Sequence, residues 1–150
     1  MATISRRIYI DTNVLINYCT GQADDVATLN HIFKKRRLEV LYTSTLAAVQ
    51  TVCILQTAKK TRKAFSREEA AAAIVRLTSK ITMASLDADD VEKGLATNNE
   101  DIEDNVHFAI AEKLKCDTIL TNNISDFSQL KGMLKISPQM GLSLIKMRVK

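Results

Sequence analysis

The sequence has little proline, glycine or aromatic content, and it has no tryptophan. Its 150 residues include one Pro, four Gly, three Tyr and four Phe, with 46% hydrophobic and 25% charged residues. This composition excludes collagen-like and low-complexity disordered chains. No apolar run approaches the roughly 18–20 residues of a membrane helix, so we expect no membrane partner. A chain of this length typically forms one domain, and we expect residues 1–150 to be a single domain.

Cysteine is also scarce. Cys19, Cys53 and Cys116 are widely spaced, odd in number and free of any Cys-x-x-Cys motif. This pattern predicts free thiols in a reducing compartment rather than a disulfide framework or a zinc site. The N-terminal segment lacks the apolar core of a signal peptide, so we expect a cytoplasmic location.

Charge of opposite sign is separated along the chain, although the net charge is only +4. Residues 1–75 carry eleven Lys/Arg against six Asp/Glu, whereas residues 76–150 carry ten against eleven. Eight acids fall within residues 87–104. The basic clusters at 34–37 and 59–63 are either solvated helix ends or a surface that faces phosphates.

Short β-branched runs alternate with helical patterns. The runs at 7–11, 40–43, 81–84 and 118–121 predict buried strands, and 134–137 is a candidate fifth. Helical patterns lie between them, including one from Ser44 or Thr45 to near Lys60 and one opened by the capping box of Ser66 and Glu69. This alternation predicts an α/β fold, a three-layer α/β/α sandwich around a parallel sheet of four or five strands.

Acidic residues are placed where such a sheet binds ligands, at the carboxyl ends of its strands. Asp11 follows the first strand, and Asp126 follows the fourth. Asp104 lies near the start of the helix that leads into the fourth strand, and Asp101 lies one helical turn before it. Clustered carboxylates need a counter-charge, and Mg²⁺ or Mn²⁺ suits oxygen ligands. Each acid also has a structural alternative, as a helix cap, a first-turn charge or a turn residue.

Three segments resemble the PIN domain nucleases. Residues 8–16 (IYIDTNVLI) are similar to the opening of that family, Asp104 with the helix after it to its third acidic position, and residues 120–127 (LTNNISDF) to its closing segment. The size is similar to that of the compact bacterial VapC-type toxins of toxin–antitoxin pairs. The resemblance implies an α/β/α sandwich and a Mg²⁺- or Mn²⁺-dependent endoribonuclease.

The resemblance also implies a metal site at Asp11 and Asp104, completed by Asp126 or by the position of Asn123. Two positions depart from the family pattern. Gln50 stands where the family usually has Glu, and Asn123 stands where it often has Asp. A Gln brings no charge and cannot act as a base, although its carbonyl can ligate or orient water. Asp101 could compensate by adding an acid one helical turn from Asp104.

Two functions follow from these patterns. The first is a metal-dependent RNase whose metal is held by Asp11 and Asp104 and tuned by Asp101 and Asp126. The residues expected to orient ligands or substrate are Asn13, Ser44, Gln50 and Asn123. The residues expected to contact the RNA backbone are Lys59, Lys60, Arg62 and Lys63. The second is a catalytically degenerate PIN-like module that binds RNA or a protein partner. A flavodoxin-like or receiver-type domain is disfavoured, because no Lys directly follows the fourth strand.

The resemblance further suggests two protein partners. An antitoxin peptide could lie in a groove of the first helices that uses Tyr18, Leu29 and Phe33, and a homodimer is common in the family. Both partners are implied by the resemblance alone, and no residue pattern in the sequence indicates either of them.

Overall fold

A central sheet lies between helices in the computed structural model, which describes residues 6–35 and 39–148. In chain order the elements are β1 (Arg6–Ile10), α1 (Thr12–Cys19), α2 (Ala23–Lys34), β2 (Glu39–Ser44), α3 (Thr45–Leu55), α4 (Arg67–Thr78), β3 (Thr82–Ala84), α5 (Ala88–Ala96), α6 (Ile102–Lys113), β4 (Thr118–Leu120), a 3₁₀ turn (Ile124–Phe127), β5 (Leu134–Ile136) and α7 (Pro138–Arg148). None of the helices in these ranges is long and apolar enough to cross a membrane.

The five strands form one parallel sheet in the order β3-β2-β1-β4-β5. The predicted α/β/α fold is confirmed, and the candidate fifth strand is present. The chain proceeds outward from β1 to β2 and β3 on one side, and β4 and β5 extend the sheet on the other. The order therefore reverses between β1 and β4, and this reversal opens a crevice at their carboxyl ends.

The central strand β1 contributes to an apolar core on each face of the sheet. Ile8 and Ile10 pack on one face with Leu15, while Tyr9 packs on the other face with Phe108. Successive strand residues point to opposite faces, so this alternation is what a strand covered on both sides requires. Tyr9 is fully buried, although it carries a hydroxyl.

Several helices begin with a side-chain cap. Ser44 caps α3 by accepting from Ala47 N–H at 3.1 Å, and Ser66 and Glu69 form the predicted capping box of α4. Asp11 caps α1 by accepting from Thr12 N–H at 2.8 Å. Asp101 caps α6 by accepting from Asp104 N–H at 3.1 Å. Asp11 therefore has the capping role that was its structural alternative, whereas Asp101 is an N-cap and not the first-turn charge of its alternative.

Helix α3 ends at Leu55, so the expected extension to near Lys60 is wrong. The Arg62 guanidinium donates to the carbonyls of Ile54 and Leu55, at 3.2 and 3.1 Å. These bonds satisfy carbonyls that the last turn of a helix leaves without partners. The chain then turns, and Lys59 and Arg62 form a short antiparallel bridge.

Leu29 and Phe33 lie in the core, where they are 0% and 9% exposed. The expected partner groove that used both residues is therefore wrong, because their side chains already pack against the sheet. Half of the first basic cluster, Arg36 and Arg37, lies outside the described residues.

Candidate active site

Asp11 stands at the carboxyl end of β1, where the strand order reverses. It is 4% exposed. Its Oδ1 accepts from Thr12 N–H, and its Oδ2 accepts from the Thr121 hydroxyl at 2.8 Å and from the Asn13 amide at 2.9 Å. Loops from both strands thus fix the orientation of this carboxylate.

Two asparagines connect the loop after β1 to the loop after β4. Asn13 Oδ1 accepts from Asn122 N–H at 2.9 Å, and the Asn122 side-chain amide donates to Asp25 Oδ1 at 2.9 Å. Asn13 therefore positions Asp11, in agreement with an orienting role. Asn123 is exposed, and its backbone N–H donates to Thr121 Oγ1 at 3.0 Å. Asp25 is 3% exposed, and burial raises its pKa despite these amide donors.

Asp104 lies in the first turn of α6 and carries the clearest electrostatic signal of the site. Burial, together with the charges of Asp101, Asp11 and Asp126, raises the pKa of Asp104 to about 7. Nearby carboxylates raise the pKa of a carboxyl group when no cation compensates them. The other three acids predicted from the sequence therefore act electrostatically on Asp104.

Asp126 and Asp101 are exposed beside a cavity of about 640 Å³. Asp126 lies in the 3₁₀ turn, and its backbone carbonyl is 3.5 Å from the Asn99 amide nitrogen. The lining of the cavity is polar and comprises Asn98, Asn99, Glu100, Asp101, Ser125, Asp126, Ser128 and Gln129. A polar cavity beside carboxylates can admit hydrated ions and phosphodiesters.

A buried polar chain lies behind this edge, and it ends at Gln50. Gln50 Oε1 is 2.7 Å from Thr12 Oγ1 and 3.0 Å from His107 Nε2. His107 Nδ1 is 2.8 Å from Tyr9 Oη, which is 2.8 Å from Ser44 Oγ. Ser44, Tyr9 and His107 are at most 1% exposed. Burial lowers the pKa of His107 and raises the pKa of Tyr9, so both side chains are neutral near pH 7.

The sequence did not indicate Tyr9, His107 or Thr121 as functional residues. The available signal for Tyr9 and His107 was a polar side chain inside an apolar run, residues 8–10 of β1 and 106–111 of α6, because buried polar groups require partners. Gln50 and Ser44, which were predicted to orient ligands, lie at the two ends of this chain.

The basic segment after α3 is displaced from the acidic edge. Helix α3 begins at that edge, and its 11 residues span roughly 16 Å at about 1.5 Å per residue. Lys59, Lys60 and Lys63 are exposed there, whereas the Arg62 guanidinium binds carbonyls of α3. The lysines are thus available to a phosphate backbone, and Arg62 holds the shape of the segment.

The acids suit a divalent ion that is held through few protein ligands. Within the described ranges 6–35 and 39–148, no three His, Cys, Asp or Glu side chains are grouped closely enough to enclose a metal. Mg²⁺ does not need such a cage, because it keeps several waters and binds through one or two carboxylates. Asp11 and Asp104 fit that mode, since both are hard oxygen donors and the charge of Asp11 contributes, after burial, to the raised pKa of Asp104.

Comparison with known proteins identifies the family. The sequence pattern of the PIN domain matches residues 7–125. No curated protein matches the sequence at a significant level. VapBC2 from Rickettsia felis, bound to a DNA fragment from its promoter, is similar with a TM-score of 0.64 and 13% identity, covering 87% of this chain and 98% of that chain. VapC20 from Mycobacterium tuberculosis, a sarcin-ricin loop cleaving toxin, is similar with a TM-score of 0.56 and 20% identity, covering 75% and 86%.

A third structure, VapBC-1 from nontypeable Haemophilus influenzae, has a TM-score of 0.64 and 12% identity, covering 89% of this chain and 98% of that chain. At these identities the structural likeness shows a shared fold. The sequence match covers most of the chain and includes the segments that carry Asp11 and Asp104. Members of the matched family are nucleases, which supports a hydrolase function. This chain belongs to the PIN domain family.

Proposed function

We propose that this protein is a Mg²⁺- or Mn²⁺-dependent endoribonuclease that hydrolyses RNA phosphodiester bonds. The observation that carries the proposal is the raised pKa of Asp104, which burial and the charges of Asp101, Asp11 and Asp126 bring to about 7, at the reversal of strand order. A half-buried carboxylate beside other carboxylates at a ligand-binding edge indicates a site for a cation. A flat apolar surface for a protein partner would not require this arrangement.

Each residue has a defined part in the proposed reaction. Asp11 and Asp104 would hold the ion, and Asp126 and Asp101 would contact its waters. A divalent ion supplies Lewis-acid polarisation of the phosphate and a more acidic water. Thr12, Thr121 and Asn13 keep the Asp11 carboxylate in one orientation. Asp104 must lose its proton for ligation, because only the carboxylate form binds the ion. Water adds to phosphorus and the 3′ oxygen leaves, giving a 5′-phosphate and a 3′-hydroxyl.

Metal-dependent cleavage tests the function directly. Purified protein is incubated with a structured RNA in Mn²⁺ or in EDTA, and products are resolved on a gel. We expect cleavage that EDTA abolishes and that Asp11→Asn or Asp104→Asn eliminates. Asp89→Asn is the matched control, because Asp89 is an exposed acid on α5 whose side chain is 70% exposed. Full activity in both site variants contradicts the mechanism.

A second function is favoured by one observation, the neutral side chain at position 50. Without an acid there, the chain could be a PIN-like module that binds RNA or a protein without cutting. Inert wild-type protein that still binds RNA in the same assay favours this alternative. Cleavage by the Gln50→Glu variant of such an inert protein would then mark a degenerate nuclease.

The proposed biological setting is a toxin–antitoxin pair in the cytoplasm. Several structural neighbours are VapBC or FitAB complexes with DNA. The partner surface would include the 310 Å³ cavity between α1 and α4, which Tyr18, Phe65 and Arg76 help to line. Co-expression with the product of an adjacent small open reading frame, followed by co-purification, tests the pairing. Size-exclusion chromatography with light scattering tests the expected homodimer.

A further inference from the structure

The buried polar array is the hydrogen-bonded chain of Ser44, Tyr9, His107 and Gln50. This array determines which group of the Gln50 carboxamide faces the site. Its atoms are spaced at 2.8 to 3.0 Å. Three of the four residues are excluded from water, and only Gln50 is partly exposed. Gln50 also contacts Thr12, the residue that follows Asp11. The array therefore ends next to the candidate metal site.

The proton positions in the array follow from one fixed acceptor, the carbonyl oxygen of Gln50. The Thr12 hydroxyl donates to Gln50 Oε1, which also lies 3.0 Å from His107 Nε2, so this ring nitrogen must carry the proton. Neutral imidazole has one N–H, which is consequently on Nε2 and donates to Gln50 Oε1. The Tyr9–Ser44 contact joins two hydroxyls at 2.8 Å, either of which can donate. Because Nδ1 of neutral His107 is then an acceptor, Tyr9 gives its proton to Nδ1 and the Ser44 hydroxyl donates to Tyr9 Oη, while Ser44 Oγ accepts from Ala47 N–H. When Ser44 donates to Tyr9, Tyr9 to His107 and His107 to Gln50, every buried polar atom of the array has a partner.

If the hydrogen bonds of the array ran in the opposite direction, two buried polar groups would be left in unfavourable contacts. Tyr9 would donate to Ser44, and the Ser44 hydrogen would have no acceptor in the array. His107 would carry its proton on Nδ1, and its Nε2 lone pair would face Gln50 Oε1 at 3.0 Å. A buried hydroxyl without an acceptor and two opposed lone pairs are both unfavourable. The first direction is therefore the one that the geometry supports.

The consequence concerns the carboxamide of Gln50. Its carbonyl oxygen has two lone pairs, and the Thr12 hydroxyl and His107 Nε2–H occupy both. The NH₂ group is the part of Gln50 left free to bind a ligand. We propose that Gln50 donates a hydrogen bond to a phosphate oxygen of the RNA, and that Tyr9 and His107 position it to do so. Gln50 is thus a phosphate-binding residue and does not ligate the metal. This inference rests on the proposed nuclease function for its substrate.

The tautomer of His107 tests the array without RNA or activity. Long-range ¹H–¹⁵N correlation spectra of ¹⁵N-labelled protein distinguish the two ring nitrogens. We expect a protonated Nε2 and an unprotonated Nδ1 in the wild type. Tyr9→Phe removes the hydroxyl that donates to Nδ1, so this variant should populate both tautomers. A wild-type spectrum with the proton on Nδ1 overturns the inference.

RNA binding in EDTA tests the donor. The probe is a fluorescein-labelled RNA hairpin, and its Kd is measured by anisotropy without any divalent ion. Gln50→Met keeps the shape of the side chain and removes the donor, so we expect about tenfold weaker binding, as for a lost hydrogen bond to a charged group. Gln50→Glu should bind at least as weakly as Gln50→Met. Gln56→Glu makes the same charge change at the exposed C-cap of α3 and should alter Kd less than about twofold.

The two proposals fail in different ways. Unchanged Kd in Gln50→Met, together with cleavage by the wild type, overturns the donor role and leaves the nuclease function intact. Weakened binding in Gln50→Met, together with an inert wild type in Mn²⁺, supports the donor role and contradicts the nuclease function. Thermal melts confirm that each variant is folded.

Discussion

Lys113 and Asp90 form an ion pair that joins α6 to α5, and its removal should destabilise the fold strongly. The Lys113 ammonium is 2.6 Å from Asp90 Oδ2, and the Asp90 side chain is only 1% exposed. Asp90 Oδ1 has no hydrogen-bond partner among the residues that the structure describes. Partial burial disfavours the Lys113 charge, but hydrogen bonds to Asp90 and Asp87 outweigh it and raise the pKa of Lys113. Lys113 therefore stays charged at neutral pH.

The expected magnitude follows from burial. Removing one partner of a buried pair costs about 3–5 kcal/mol, because the other charge is left without compensation. The Lys113 side chain is 32% exposed, so water can partly replace it. We therefore expect about 2–3 kcal/mol for Lys113→Met, which retains the packing of the aliphatic chain. At about 2–4 °C per kcal/mol for a chain of this size, Tm should fall by roughly 5–10 °C.

The same helix α5 offers a matched control. Lys93 pairs with Asp89 at 3.1 Å, but these side chains are 60% and 70% exposed. An exposed pair at this spacing contributes about 0.3–0.5 kcal/mol, so Lys93→Met should change Tm little. Urea unfolding monitored by circular dichroism gives the free energies of both variants. If Lys113→Met costs no more than Lys93→Met, the assumption that Asp90 is desolvated is wrong.

Two further perturbations test the packing and the site. Gly94→Ala should destabilise the protein by about 1–2 kcal/mol in urea unfolding. A Cβ at this position would lie 2.5 Å from Val106 Cγ2 and 3.0 Å from Val106 N, and only the Val106 side chain can move aside. A gain in stability would contradict this packing. For Asp104, whose pKa is raised to about 7, the folded metal-free protein holds the proton more tightly than the unfolded chain, so stability should decrease as pH rises from about 4 towards 7. Mn²⁺ must displace that proton, so calorimetry should show affinity rising about tenfold per pH unit below 7 and levelling above it, whereas a flat profile would mean that Asp104 is not a ligand.

The sequence predicted the features that depend on local patterns. Alternating strand and helix periods gave the α/β/α architecture, and the parallel sheet followed because short buried strands separated by helices pair in parallel. The cap at Ser44 and the box at Ser66 were predicted because each uses residues within one turn. The acidic edge was predicted because the carboxyl ends of parallel strands lie at one edge of a sheet, and Asp11 and Asp126 each follow a strand.

Features that depend on contacts between distant segments were not predictable in this way. The end of α3 at Leu55 depends on Arg62, which folds back to bind the last carbonyls of the helix. The resemblance to toxins suggested Leu29 and Phe33 as part of a partner surface, and the sequence could not correct this, because an apolar stripe is the same whether it packs on the protein's own sheet or on another chain. The Tyr9–His107 contact joins residues 98 positions apart, so no local pattern indicates it.

The neutral residue at position 50 and the neutral histidine beside it depend on each other. Burial lowers the pKa of His107, while the charges of Asp11, Glu103 and Asp101 raise it. A carboxylate at position 50 would lie against His107 Nε2 and would raise that pKa further, favouring imidazolium. Imidazolium donates from both nitrogens, so Tyr9 would have to turn its proton to Ser44, and the Ser44 hydrogen would lose its acceptor. An amide at this position avoids that rearrangement, and it gives the site a hydrogen-bond donor where an acid would add a fifth negative charge.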